Sequence, residues 1–296
     1  MNEVYIVIKR SDGKEFNINY GSDPDWKLPS DGLDGFGSFT NSVETTANAV
    51  GDGDVLESTR VGKTDRTIKF CNLDRANNVA LRESASSFFT PKYTFRVYLT
   101  YMGRTRWIEG VIHKFDMPSK NIHKKIIVNV TFLCPNPYLK SYDDFGQDIA
   151  SLSGRLAFPY MCSIDDNYPK IMKGITGGIF NFAQQIILSN DGAVDTYCRC
   201  EMKAKGEVVN PVLYINGNYV RIIDTMVSGD VISMDFAAQP PTVKKNGENF
   251  IGHCDRTSAF DNMMLPIGDS EVSFNADNGS NLLAVSIYYN KLYATM

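Results

Sequence analysis

Tryptophan occurs twice in 296 residues, histidine three times and cysteine six times. Six cysteines are too few for a disulfide scaffold in a chain of this length. Cys71, Cys134, Cys162 and Cys254 are isolated, while Cys198 and Cys200 form a C-x-C; all six read as reduced thiols of a chain made in a cytosol. No apolar run approaches the ~18 residues of a membrane span. The start, MNEVYIVIKR, lacks the cationic region and apolar run of a signal peptide. The sequence therefore reads as a soluble chain without a leader, and the N-x-S/T matches at Asn129 and Asn278 as chance matches. Positive charge is not in excess either: 30 basic against 34 acidic residues give a net charge of −4. That balance provides no general attraction to nucleic acid or anionic lipid.

Catalytic signatures are equally sparse. There is no G-x-S-x-G elbow, and Gly174 and Gly177-Gly178 lack a Walker lysine or a strand–glycine–helix setting. His113 and His123 fall on or beside expected strands with no cysteine or carboxylate at metal spacing. His253 has Cys254 and Asp255 beside it, but neighbours on a strand point to opposite faces. Cys198 and Cys200 share one strand face, yet no second pair completes a zinc set, so they read as packing residues. Asp143-Asp144 and Asp165-Asp166 sit in loop-like stretches and read as solvated. Lys114, Lys120, Lys124 and Lys125 flank a hairpin and read as a solvated turn. No cofactor or metal is expected.

What is present is alternation. With 43% hydrophobic and 22% charged residues the chain is ordinary for a globular protein, and its length suggests about two domains. Val4–Ile8, the Asp12-Gly13 turn and the alternating Phe16, Ile18, Tyr20 read as an opening hairpin. Residues 21–53 read as a long Gly/Asp/Ser/Thr-rich excursion with one or two short strands. A single helix is expected from Asp74, its N-cap, to Phe89, with Pro91 beyond it. Tyr93–Tyr101 is the cleanest strand, Arg106–Phe115 returns after Gly103, and Ile126, Val128, Val130 and Phe132 alternate again.

The boundary is expected near the Cys134–Tyr138 break, giving domains 1–140 and 141–296. The second half shows Asn216-Gly217 and Asn246-Gly247 hairpins. Further strands fall at Val231–Phe236, Glu271–Asn275 and Leu283–Tyr289. Turns recurring every ~8–12 residues point to a sandwich or jelly roll.

These elements, in this order, resemble the distal tail proteins of long, non-contractile-tailed bacteriophages. The first half offers Arg66-Thr67-Ile68, Leu81-Arg82 on the helix, Arg106-Trp107-Ile108-Glu109-Gly110-Val111, and Phe132-Leu133-Cys134-Pro135-Asn136-Pro137-Tyr138, which resembles the family's strand-end junction. The second half offers Leu188–Gly192, Asn210-Pro211, Ser228-Gly229-Asp230, Lys245-Asn246-Gly247, Leu265–Gly268 and Leu283–Tyr289.

The resemblance implies a mostly β chain. Its N-terminal domain would be a β-barrel or split sandwich with one helix, and its C-terminal domain a galectin-like jelly-roll sandwich. It implies a non-enzymatic homohexameric ring between the tail tube protein and the tail-tip or baseplate protein, with docked receptor-binding proteins. Phage DNA would pass the lumen without specific binding, and no membrane is involved. The chain would assemble in the bacterial host cytoplasm and reside at the virion tail tip. Cys134, Pro135, Asn136, Pro137 and Tyr138 would form the inter-domain junction. Tyr93, Phe95, Val97, Arg82 and Trp107 would face the ring interface. The alternative is a carbohydrate-binding jelly roll using Tyr288, Tyr289 and Tyr293, against which the scarcity of tryptophan counts. A wall hydrolase is a further class, for which the sequence offers no nucleophile or carboxylate pair.

Overall fold

The computed structural model describes residues 4–72, 79–118, 126–142 and 185–296 in full. Asn78 and the strands at 145–148, 150–158, 161–162, 170–171 and 175–182 are described as backbone. Asp74, Lys120, His123, Lys124, Lys125, Asp143, Asp144, Asp165, Asp166 and Gly174 lie outside the described residues, as does the side chain of Cys162, while Gly177 and Gly178 fall on a strand described as backbone. Two compact units emerge: residues 1–143 with 292–296, and residues 144–291. The chain thus passes between them twice, and the second unit is an insertion in the first. Residues 292–296 were expected in the second domain; their backbone and side-chain partners lie in the first.

In chain order the first unit contains β1 (Val4–Arg10), β2 (Glu15–Ile18), β3 (Leu33–Asp34), β4 (Asn41–Ala47), β5 (Asp54–Val61), β6 (Thr64–Asn72), α1 (Asn78–Phe88), β7 (Thr94–Tyr101), β8 (Arg104–Asp116), β9 (Ile126–Cys134) and β10 (Leu139–Ser141). A last strand, β27 (Leu292–Tyr293), returns after the second unit. The antiparallel sheet runs β2-β1-β7-β8-β9-β6-β3, with β10 on β8 and β27 on β10. Phe16 on β2 and Phe70 on β6 lie far apart in this order, yet their rings are 5.6 Å apart. The sheet therefore curls around one core. Strand alternation supplies that core: Ile6 and Ile8, Phe95, Val97 and Leu99, and Ile126, Val128, Val130 and Phe132 are all buried.

Helix α1 closes the curl with Ala85 and Phe88, and Phe89 follows directly. Its C-terminal carbonyls need donors. Arg10 supplies them, donating to Ser87 O and Phe88 O at 2.9 Å each. Asp12 holds the same guanidinium at 2.6 Å, and that hydrogen bond pulls its carboxyl down to about 2.

The second unit continues with β11 (Phe145–Asp148), β12 (Ala150–Phe158), β13 (Met161–Cys162), β14 (Lys170–Ile171), β15 (Ile175–Phe182), β16 (Gln185–Asn190), β17 (Thr196–Ala204), β18 (Val208–Ile215), β19 (Asn218–Arg221), β20 (Thr225–Met226), β21 (Val231–Asp235), β22 (Thr242–Lys245), β23 (Glu248–Asn249), β24 (Met264–Leu265), β25 (Gly268–Asn278) and β26 (Leu283–Tyr289). One sheet runs β11-β26-β17-β21-β22-β23 and the other β16-β25-β18-β19. Between them Cys198, Cys200, Met202, Val285 and Ile287 meet Leu213, Ile215, Val272 and Phe274 in one buried core. This is a β-sandwich, as the turn spacing implied. Asn216-Gly217 and Asn246-Gly247 take positive φ at both positions, the two-residue hairpin conformation that asparagine and glycine tolerate.

Candidate functional site

The Cys134–Tyr138 segment ends β9 as its residues dictate. Pro135 has no N–H for a ladder, and Asn136 Oδ1 accepts from the Tyr138 amide at 3.0 Å, closing a side-chain turn. Cys134 is buried, which pushes its thiol up to about 11. The segment is held by Arg66, whose side chain is fully buried. Arg66 donates to Pro137 O at 2.7 Å and to Gly35 O, and its guanidinium lies 5.3 Å from the Phe36 ring centre. Its partners are carbonyls, and burial lowers its pKa. The returning residues attach nearby. Leu292 and Tyr293 pair with Lys140 and Leu139, the Met296 amide donates to Phe36 O at 3.2 Å, and Arg106 donates to Thr295 O while lying 3.8 Å over the Tyr293 ring.

The expected ring-contact residues divide. Phe95 and Val97 are buried beneath the sheet, because β7 lies between β1 and β8 and alternation aims them inward; they present no surface to a neighbour. Tyr93 packs on the same core with the Arg10 guanidinium 4.4 Å from its ring. Arg82 donates to Pro118 O at 3.0 Å. Trp107 lies on the other face of the sheet, donates to Ser141 O at 2.8 Å, and is flanked by Arg96 and Lys140 at 5.0 and 4.7 Å.

A surface missed by the sequence reading is the β4–β5 hairpin, which pairs with no other strand among the described residues. Its register puts Val43, Thr45, Leu56, Thr59 and Val61 on one face, with Asn41 at one end and Ala47 and Asp54 at the other, and a bulge at Glu57 shifts the register between them. The opposite face carries Ser42, Glu44, Thr46, Val55, Glu57, Ser58 and Arg60, with Ser58 donating to Glu44 at 2.9 Å and Thr46 bonding Glu57. Val43 is 54% and Leu56 60% exposed. One face of the ribbon is the more apolar, around Val43, Leu56 and Val61, and it is open to water.

The three tyrosines offered as sugar or partner contacts also separate. Tyr288 is on the outer face of β26, opposite Arg199 of β17. Tyr289, one residue on, faces the core, where its hydroxyl donates to Ser189 O at 3.0 Å; a period of two excludes it from the surface that holds Tyr288. Tyr293 is in the first unit, stacked under Arg106.

The remaining reactive groups take structural places. His113 sits 3.2 Å from Asp65, and His253 stacks on Phe250 at 4.0 Å. Burial pushes the Cys198 thiol up to about 12, Cys254 to about 11, and Cys200 well above its ordinary value. Among the described residues no group of three or more His, Cys, Asp or Glu is placed to hold a metal.

Residues 191–293 match the family model described as the siphovirus-type tail component, C-terminal domain. No curated protein matches the sequence significantly. Among solved structures the chain is similar to the Dit protein of phage SPP1, described as a paradigm of the hub adsorption apparatus in phages that infect Gram-positive bacteria. That similarity has 9% identity and a TM-score of 0.62, covering 97% of this chain and 98% of the other. A chain of the phage p2 baseplate in its activated conformation with strontium is similar at 8% identity and a TM-score of 0.56, covering 99% of each chain. The corresponding calcium structure gives 9%, 0.51 and the same coverage.

Proposed function

We propose a structural role without catalysis for this chain, whose residues 191–293 match the siphovirus-type tail component family and whose fold is similar along its length to that of the SPP1 Dit protein. The chain forms a homohexameric ring at the virion tail tip. The ring joins the tail tube protein to the tail-tip or baseplate protein, and the second unit offers the docking surface for receptor-binding proteins.

The observation that carries this reading is the β4–β5 hairpin. An isolated two-stranded ribbon is marginal in water, and this one leaves both edges unpaired and an apolar face exposed. Unpaired edges and a greasy face are satisfied together when neighbouring copies pair edge to edge around a closed ring. The apolar face then lies against the ring body. The polar face, with Glu44 and Glu57 against Arg60, lines the channel and keeps passing DNA from adhering.

The purified full chain is imaged by negative stain and class-averaged. Six-fold rings with a channel are expected. Replacing residues 43–59 by Asn-Gly, which joins the paired Ser42 and Arg60, is expected to leave folded monomers. Rings formed without the hairpin, or an intact chain that stays monomeric at its highest soluble concentration, overturn the reading.

A further inference from the structure

We propose that the outer face of the β26-β17-β21-β22 sheet is a binding site for a neutral carbohydrate, held at Tyr288, Arg199, Glu201, Asp235 and Lys244. The face is concave: a hollow of about 230 Å³ opens there, lined by these residues together with Ser233 and Thr242. Its volume suits one or two sugar rings and falls below the range usual for larger ligands.

The register lays the lining out as a grid. One row reads Tyr288, Arg199, Asp235, Thr242, and the next reads Glu201, Ser233, Lys244. Cross-strand neighbours are about 5 Å apart and successive rows about 7 Å, a pitch comparable with that between hydroxyl groups on one sugar and the next. Carboxylates accept two hydroxyl donors, guanidinium and ammonium donate, and serine and threonine do both. Tyr288 adds an aromatic surface with a polar tip.

Two observations point to a ligand of this class. Glu201, Ser233, Thr242 and Lys244 form no side-chain hydrogen bond or ion pair among the described residues, so the hollow holds unused donors and acceptors side by side. Among the described lining residues the formal charges also balance, Arg199 and Lys244 against Glu201 and Asp235, so they give no general attraction to a polyanion. Asp235 is held in place from behind, accepting from the Ala237 and Ala238 amides at 2.9 and 3.2 Å. A fixed carboxylate loses little freedom on binding.

The single-chain site does not rest on the ring. A ring of six would convert a weak site into a strong one by multivalency. The test therefore uses unassembled chain. The full-length protein is titrated by saturation-transfer NMR against galactose, glucose, N-acetylglucosamine, N-acetylgalactosamine, rhamnose and their short oligomers, with polyglycerol phosphate as the anionic comparison. Saturable binding of at least one neutral sugar is expected, weakened tenfold or more by Tyr288→Ala and by Glu201→Gln. Tyr288→Phe should retain most of the affinity, and Glu271→Gln on the other sheet should leave it unchanged. Thermal unfolding establishes that each variant is folded. The proposal is overturned by no binding across the panel, by binding of the polyanion alone, or by affinities indifferent to Tyr288 and Glu201.

Discussion

Arg66 shows how one buried charge fixes a junction. Its guanidinium ties the Gly35 carbonyl, just before the β4–β5 hairpin, to the Pro137 carbonyl, just after β9. Replacing it with alanine leaves two carbonyls without donors, at about 1–3 kcal/mol each. Arg66→Ala should therefore lower first-unit stability by roughly 3 kcal/mol, read as a fall in its thermal transition with the second transition unmoved. The motif around Cys134 was legible because proline and asparagine announce a strand end. Arg66 stood out only as part of the Arg66-Thr67-Ile68 resemblance; its burial was not legible, since by pattern it is one more polar residue on a strand. A second residue-scale expectation concerns the thiols. The thiolate is the reactive form, and Cys134 at about 11 and Cys198 at about 12 supply almost none at pH 8. Iodoacetamide should leave both unmodified in the native protein and alkylate both in guanidinium, as peptide mapping would show. Alkylation of Cys198 without unfolding would contradict its burial.

Among the elements, hairpins with Asn-Gly turns were readable because the turn chemistry is local. The β4–β5 arm was not. Its apolar face is built of valine and threonine with one leucine, flanked by Gly and Asp, and it lacks the bulky alternation that marked β7 and β9. The helix ends at Phe88, in agreement with the position of Pro91, while its expected N-cap, Asp74, lies outside the described residues. The turn before β21 carries a pH dependence. Asp230 accepts from Asn246 at 2.9 Å and from the Val227 amide at 3.0 Å, and lies 3.1 Å from Lys245. These contacts lower its pKa from 3.8 to about 2. Its folded value lies below its unfolded one, so the stabilisation is complete above about pH 4 and lost as pH falls through about 2. Asp230→Asn should make the second unit less stable at neutral pH and flatten its stability between pH 4 and 2. Denaturant midpoints across that range measure both effects.

At the scale of the molecule, two β units were legible from turn spacing and from the break at Pro135 and Pro137. The return of residues 292–296 was not, because a strand of two residues, Leu292–Tyr293, leaves no periodic trace. Deleting those five residues removes the β10–β27 pairing, the Arg106–Tyr293 stack and the Met296–Phe36 hydrogen bond. The first unit's unfolding temperature should fall by roughly 5 °C while the second unit's stays constant. Calorimetry resolves the two transitions; a shift confined to the second would contradict this assignment.

That return has a consequence in time. During synthesis β10 leaves the ribosome about 150 residues before its partner β27 is made, a delay of roughly 8–30 s at ordinary elongation rates. Throughout that interval the outer edge of β10 waits open while the inserted sandwich is translated and collapses. The first unit, begun earliest, is thus the last to be finished. A nascent chain stalled short of Leu292 would carry a completed second unit and an unsealed first one.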